Sequence, residues 1–209
     1  MGPAMSILLY HNLAKRHHIR LISVDRPGYN DSDDIYSRSG VPDLFEFADM
    51  INELTLILKM WQFGMATFSL GAVYGLAYSL NFPERIKGPI FTISPWVVIS
   101  TISPGRSYIH KKIYQNGLWN LQNRTGAHID AMVALEKVDW GYKYEDTTHP
   151  IQAYVGEEDE NVPLQAWTYM SNRMDNLKLN VVKDGGHYLL YRMDFMEELF
   201  TTIESTVNS

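Results

Sequence analysis

The stretch FGMATFSLGAVYGLAYSLNFP, residues 63–83, carries no charged side chain, and its interpretation decides the fold. About 20 apolar residues can span a bilayer. Small or polar residues, however, interrupt this stretch at positions 64, 67, 69, 71 and 75. FGMATFS is typical of a strand, and the residues after it are typical of a helix that stops before Pro83. The pattern therefore favours a strand, a turn at Ser69 and a helix over a membrane span.

Small residues surround Ser69 where a sharp strand-to-helix turn needs them. Such a turn brings backbone segments into close contact, so the positions two before and two after it, Thr67 and Gly71, must be small. Gly75, one helical turn later, would let the helix lie close to a neighbouring element. The turn would expose the Ser69 hydroxyl beside helix N–H groups that can stabilise an oxyanion. Taken alone, TFSLG is equally consistent with a buried strand and helix that carry an incidental serine.

Strand-like and helix-like segments alternate along the rest of the chain. Further strands are predicted at residues 19–25 and 88–94 and from residues 150 and 177, and helices are predicted at residues 42–61, 70–82, 128–138, 164–174 and 191–207. This order predicts the α/β class, with a mostly parallel sheet flanked by helices. A chain of 209 residues fits a single domain, residues 1–209.

Composition and charge exclude several classes of function. The net charge of −6 argues against nucleic acid as a partner, because phosphate binding needs clustered lysine and arginine. The absence of cysteine excludes disulfides, thiolate catalysis and cysteine metal sites. The acidic residues around Asp159 and the histidines at positions 11, 17 and 18 are interpreted as surface or core residues, so neither a metal nor a cofactor is predicted. No signal-peptide pattern opens the chain, so a cytoplasmic location is predicted, and the oligomeric state is left open.

Two residues elsewhere in the sequence could activate the Ser69 hydroxyl. A serine becomes a nucleophile only when a base takes its proton, and the base needs an orienting acid. On a sheet of this kind the expected order is serine, then an acid after a later strand, then a histidine near the end. Asp159 follows a predicted strand in YVGEEDENVP, and His187 follows the last predicted strand in VVKDGGHYLL. The order favours a triad of these three residues, with Glu158 as the alternative acid.

The segments that carry these residues resemble the α/β-hydrolase superfamily of serine hydrolases. LAKRHHIRLISVDRPGYNDSD is similar to a strand and turn of that family, with Asn30 where the family usually has glycine. FSLGAVYGLAYSLNFPERIKGPIFTISPWV is similar to its nucleophile turn, helix and next strand, and GEEDENVP and GGHYLL are similar to its acid and histidine turns. The resemblance implies Ser69 as nucleophile, His187 as general base and acid, Asp159 as orienting carboxylate and the Leu70 N–H as an oxyanion donor.

The chain departs from the family pattern at its start. The resemblance implies that MGPAMS is the remnant of a His-Gly motif that supplies a second oxyanion donor, with Gly2 and Pro3 in the usual places and Met1 where the histidine would stand. A strand that the family places between residues 19–25 and 65–69 has no counterpart, which would leave a gap in the sheet. We therefore expect a truncated or alternatively spliced product, or a fragment.

Residues 96–149 are shorter than a usual cap domain of that family, so they are predicted to form a shortened cap or lid. Trp96, Tyr108, Trp119 and Met132 are candidates to line an acyl or alcohol pocket, although ordinary core packing explains them equally well.

The leading hypothesis is a serine hydrolase that cleaves a small ester, amide or lipid acyl bond, with a small molecule as its substrate. The alternative is a catalytically impaired hydrolase-like protein, either a truncated gene product or a binding module, because the strand and the oxyanion histidine are missing. The same triad could also serve a lyase or an acyltransferase, because this fold hosts many chemistries.

Overall fold

A computed structural model describes residues 7–33, 43–97, 130, 133–134 and 139–207 of the chain. Four strands in these residues form one sheet in the order β1-β2-β3-β4, and all three neighbouring pairs are parallel. The strands are β1 (Ala66–Phe68), β2 (Ile90–Ile93), β3 (Ile151–Gly156) and β4 (Leu177–Val182). The predicted α/β class with a mostly parallel sheet is confirmed.

Helices cover both faces of this sheet. In the described residues they are α1 (His11–Arg16), α2 (Leu44–Ile57), α3 (Gly71–Asn81), α4 (Leu164–Ser171) and α5 (Met193–Val207), with 3₁₀ turns at Ile7–Tyr10, Pro83–Arg85, Tyr144–Asp146 and Leu189–Tyr191. Asp43 caps α2 by accepting the Phe45 N–H at 2.9 Å, as its position before the helix predicts. No helix among the described residues combines the length and the apolar character needed to cross a membrane.

The sheet separates two apolar clusters because successive side chains of a strand point to opposite faces. Along β2, Ile90 packs in the cluster beneath α2, α3 and α4, whereas Phe91 and Ile93 pack in the cluster beneath α1 and α5. α3 lies deepest of the helices around the first cluster, with every residue from position 72 to position 79 buried. The uncharged stretch at residues 63–83 is therefore a strand followed by a core helix.

The predicted strand at residues 19–25 is wrong. These residues adopt neither helix nor strand, and Ile22 and Val24 are 40% and 36% exposed. A strand exists only where its backbone groups pair with a neighbour, and no strand in the described residues lies beside this segment. A cleft of about 590 Å³ separates it from β1 instead, in agreement with the expected gap in the sheet. The predicted helix at residues 128–138 and the predicted cap lie mostly outside the described residues.

Candidate active site

Ser69 occupies the sharp turn between β1 and α3, with a φ of 50°. This left-handed region is unfavourable for a residue with a side chain, so the surrounding structure must hold the turn in place. The Ser69 N–H donates to the Ile93 carbonyl at 2.9 Å, and the Ser69 carbonyl accepts from Trp96 N–H at 2.9 Å and Ala72 N–H at 3.0 Å. The turn is therefore tied to the end of β2 and to the start of α3.

Close packing behind the turn depends on Gly75. A Cβ atom added at Gly75 would lie 2.6 Å from Thr67 Cγ2 and 3.2 Å from Met65 Sδ, so α3 approaches β1 at this point. At Gly71 an added Cβ would lie 3.9 Å from the Thr67 Cβ, which is an ordinary contact. The prediction for Gly75 is confirmed, whereas the prediction that Gly71 must be small is wrong, because the helix is closest to the strand one turn later.

His187 connects the other two predicted site residues. Its Nδ1 lies 2.9 Å and 3.2 Å from the two carboxylate oxygens of Asp159, and its Nε2 lies 3.0 Å from Ser69 Oγ. The side chains of His187 and Asp159 are only 9% and 0% exposed. Because a carboxylate can only accept at Nδ1, that nitrogen carries the proton, and Nε2 is left with a lone pair for the serine hydroxyl.

The Asp159 carboxylate has a second set of partners that fixes its orientation. Its Oδ1 accepts the N–H groups of Asn161 and Val162, both at 2.8 Å, in the turn that follows β3. The neighbouring Glu158 is exposed, so the structure places Asp159 and not the alternative acid against the histidine. Among the described residues, no group of three or more His, Cys, Asp or Glu side chains is arranged to hold a metal ion.

Glycines let the acid turn and the histidine turn meet. A Cβ atom added at Gly156, the last residue of β3, would overlap the backbone of Gly185 in the turn after β4. The Glu158 N–H donates to the Gly185 carbonyl at 2.8 Å, which joins the two turns directly. This contact sets the distance between Asp159 and His187, because each lies within three residues of it.

The Leu70 N–H lies at the start of α3, next to Ser69, and has no acceptor among the described residues. It is therefore free to donate to an oxygen that develops charge beside Ser69. Trp96 contacts the serine turn through its backbone N–H, while its ring packs against the cluster beneath α3 and not in the cleft. The other residues predicted for oxyanion or substrate binding lie outside the described residues: Gly2, Pro3, Tyr108, Trp119 and Met132.

Asp130 was missed by the sequence analysis. Its carboxylate accepts hydrogen bonds from the Arg26 guanidinium, from the Tyr29 hydroxyl at 2.5 Å and from the Tyr74 hydroxyl at 3.1 Å. Burial and the Asp130 charge both raise the pKa of each tyrosine, so the hydroxyls remain donors. Because Tyr74 belongs to α3, this network ties the turn at residues 26–29 to the helix behind Ser69. A single aspartate outside any motif gives no sequence signal for such a role.

The cleft beside β1 reaches the nucleophile turn. Ser69 and Leu70 are among its lining residues, and most of the remaining lining is apolar, including Ile22, Val24 and Phe200. On the histidine side, the rings of Phe68 and Tyr188 lie 5.4 Å and 5.3 Å from the His187 ring. The polar site is therefore bordered by apolar surface.

No protein-family model matches the chain, and no curated protein matches it in sequence. Solved structures do match it in shape. An esterase from Exiguobacterium antarcticum matches with a TM-score of 0.76 and 19% identity, over 100% of this chain and 88% of that chain. A monoacylglycerol lipase from Paleococcus ferrophilus matches with a TM-score of 0.64 and 15% identity, over 95% of this chain and 89% of that chain.

A third structure, an α/β-hydrolase enzyme from a Medee basin deep-sea metagenome library, matches with a TM-score of 0.69 and 17% identity, over 98% of this chain and 86% of that chain. Likeness at such low identity establishes architecture, and it agrees with the parallel sheet flanked by helices. The chain has the α/β-hydrolase fold.

Proposed function

We propose that the protein is a serine hydrolase that cleaves a small ester, amide or lipid acyl bond. The observation that carries the proposal is the chain of contacts through His187, with Nε2 3.0 Å from Ser69 Oγ and Nδ1 2.9 Å from an Asp159 oxygen. A serine, a base within hydrogen-bond reach and an orienting acid are the parts that nucleophilic acyl transfer needs. The reaction needs no metal or cofactor.

In the proposed mechanism each group of the triad has one role, which its contacts support. His187 Nε2 removes the hydroxyl proton as Ser69 Oγ attacks the carbonyl carbon, and it then gives this proton to the leaving alcohol or amine. In the second half of the reaction, His187 Nε2 takes a proton from water as the water oxygen attacks the acyl-serine. The proton then returns to Ser69 Oγ as the carboxylic acid is released. Asp159 keeps the imidazole in the tautomer that this transfer needs and stabilises its charged form.

The Leu70 N–H would stabilise the oxyanion of the tetrahedral intermediate. Serine hydrolases commonly use two donors for this oxygen, and losing one costs about 10²–10³ in rate. The resemblance implies that the second donor is a backbone N–H of the segment that contains Gly2 and Pro3, of which Pro3 itself has no N–H to give, and this assignment stays a prediction.

The proposed substrate class is supported by the apolar surface beside the site and by two structural neighbours. One of the matching structures is an esterase and another is a monoacylglycerol lipase. A small carboxylic ester with an apolar acyl group suits a serine bordered by Phe68 and Tyr188 better than a charged substrate does. We propose such an ester as the first substrate class to assay, with residues 96–149 as a shortened cap over it.

Labelling with a fluorophosphonate tests the proposal, because this probe reacts only with a serine that a base has activated. We expect the wild-type chain to be labelled and Ser69→Ala to remain unlabelled. Ser94→Ala is a matched control, since Ser94 also follows a strand with a positive φ, yet it is fully buried. Labelling that survives Ser69→Ala would refute the assignment, and a folded wild-type chain that takes no label would favour the catalytically impaired alternative.

A further inference from the structure

A row of aromatic rings leads from His187 to the protein surface. The centroid of the His187 ring lies 5.4 Å from that of Phe68 and 5.3 Å from that of Tyr188. The Tyr188 ring lies in turn 6.4 Å from the Phe68 ring and 6.1 Å from the Tyr191 ring. We call Phe68, Tyr188 and Tyr191 the aromatic row. It begins at the imidazole that contacts Ser69 and continues away from it.

The two tyrosines of the aromatic row are held in place and yet exposed. Tyr188 and Tyr191 are 62% and 55% exposed, although the side chain of the adjoining His187 is only 9% exposed. They stand at the two ends of one tight turn, in which the Tyr191 N–H donates to the Tyr188 carbonyl at 3.0 Å. Between them, Leu189 and Leu190 are buried and anchor the turn in the core beneath α1 and α5. The anchored turn therefore keeps part of each tyrosine ring open to solvent beside His187.

The chemistry of the proposed acyl transfer decides which part of a substrate meets these rings. The carbonyl carbon bonds to Ser69 Oγ while its oxygen turns towards the Leu70 N–H. As the bond between that carbon and the leaving oxygen breaks, the leaving oxygen takes the proton from His187 Nε2. The organic group on the leaving oxygen must therefore lie on the histidine side of the site, next to the aromatic row.

We infer that the aromatic row is the subsite for the alcohol part of the ester, and that it selects an alcohol that carries an aromatic ring. Aromatic rings that meet offset or edge to face gain free energy beyond that of burial alone. A saturated ring of the same size gains from burial only. The inference rests on the proposed hydrolase function and adds to it a substrate class, the esters of aromatic alcohols.

The test compares benzyl acetate with cyclohexylmethyl acetate, which have the same number of heavy atoms and leaving alcohols of similar acidity. The wild type should hydrolyse benzyl acetate with a kcat/KM about fivefold higher, whereas burial alone would favour the more apolar saturated ring. Tyr188→Leu should lower this ratio to about one, and Tyr188→Phe, which keeps the ring, should keep it. A purely structural contact between Tyr188 and His187 would change the rates of both esters equally and leave the ratio alone.

Two controls show whether the effect belongs to this subsite. Methyl phenylacetate and methyl cyclohexylacetate carry the same two rings on the acyl side, so Tyr188→Leu should not change their ratio. Trp61 is another exposed aromatic residue, at 69%, and its ring stacks on Arg85. Because Trp61 precedes β1 and Ser69 follows it, Trp61→Leu should leave the ratio for the two acetates unchanged. Melting temperatures show whether each variant is folded, and Tyr191→Leu, which should lower the ratio by about twofold, gives a second test if Tyr188→Leu is not.

Fluorophosphonate labelling separates a failure of this inference from a failure of the proposed function. A wild type that is labelled at Ser69 but hydrolyses the two acetates equally, or hydrolyses neither, would overturn the inference and leave the proposed serine nucleophile standing. A change in the acyl-side ratio alone on Tyr188→Leu would overturn it as well, since the aromatic row would then bind the acyl group. A folded wild type that takes no label would overturn the proposed function, and the inference with it.

Discussion

Replacing Gly75 by alanine tests whether α3 lies as close to β1 as the structure shows. The added Cβ atom would lie 2.6 Å from Thr67 Cγ2, a methyl group on a stiff β-branched side chain. Its next contact, Met65 Sδ at 3.2 Å, is the end of a flexible side chain that can move away. The conflict is therefore between two defined atoms, and it can be removed from either side.

The expected magnitude follows from two opposing contributions. Alanine is favoured over glycine in a helix interior by about 1 kcal/mol, whereas overpacking a close contact costs about 1–3 kcal/mol. Gly75→Ala should therefore lower the free energy of unfolding by about 1 kcal/mol. Thr67→Ser removes the Cγ2 atom that the alanine would overlap. In that background the helix preference alone remains, so Gly75→Ala should raise the free energy of unfolding by up to about 1 kcal/mol.

Urea unfolding followed by circular dichroism gives the free energy of unfolding of the four proteins in this double-mutant cycle: the wild type, Gly75→Ala, Thr67→Ser and the double variant. Gly71→Ala is the matched control, because its added Cβ would make only an ordinary contact of 3.9 Å with Thr67 Cβ. The change in the free energy of unfolding caused by Gly71→Ala should therefore be the same with threonine or serine at position 67. The reasoning fails if Gly75→Ala has the same effect in both backgrounds. That result would mean that the strand and the helix are further apart than the structure shows.

Three further substitutions test the site and its surroundings. Gly156→Ala would push the acid turn away from His187, because the added Cβ would overlap the Gly185 backbone. The free energy of unfolding measured in urea should fall by about 1–3 kcal/mol, and esterase activity should fall as well. Unchanged activity would contradict the close approach of the two turns. Asp159→Asn should lower kcat by about 10⁴-fold while the melting temperature changes little, because the amide favours the wrong imidazole tautomer. His17 donates a hydrogen bond to the Glu204 carboxylate, which raises the pKa of His17 from its usual value of 6.5. The stability that this contact adds is therefore present below pH 6.5 and is lost as pH rises through the pKa in the folded protein. His17→Gln should remove that part of the pH dependence of unfolding, and an identical pH profile for the variant would count against the contact.

The strands and helices that flank the site were predictable because their signals are local. The apolar runs ending in turns predicted β2, β3 and β4, and the small residues after position 69 predicted the start of α3. The boundaries were not predictable to the same degree. FGMATFS predicts a strand of seven residues, but only Ala66–Phe68 is a strand, because the number of paired residues depends on a neighbouring strand.

The failures came from residues whose state depends on distant partners. IRLISVD has the composition of a buried strand, but residues 19–25 do not form one, since an apolar pattern cannot supply the neighbour that a strand needs. The role of Asp130 was equally hidden, because its partners Arg26 and Tyr74 are 104 and 56 residues away in sequence. By contrast, Ser69, Asp159 and His187 could be brought together from sequence, since the ends of parallel strands must meet at one edge of the sheet.

The candidate triad is assembled on the side of β1 that is paired in the sheet. The contacts that fix the candidate triad all come from the paired side: Ser69 is tied to β2, Asp159 follows β3, and His187 follows β4. The cleft lies along the other edge of β1, and Ser69 and Leu70 are also among its lining residues. Because no hydrogen bond of the triad crosses that cleft, an empty cleft is compatible with an assembled triad. The contacts that assemble the triad therefore do not depend on what fills the cleft.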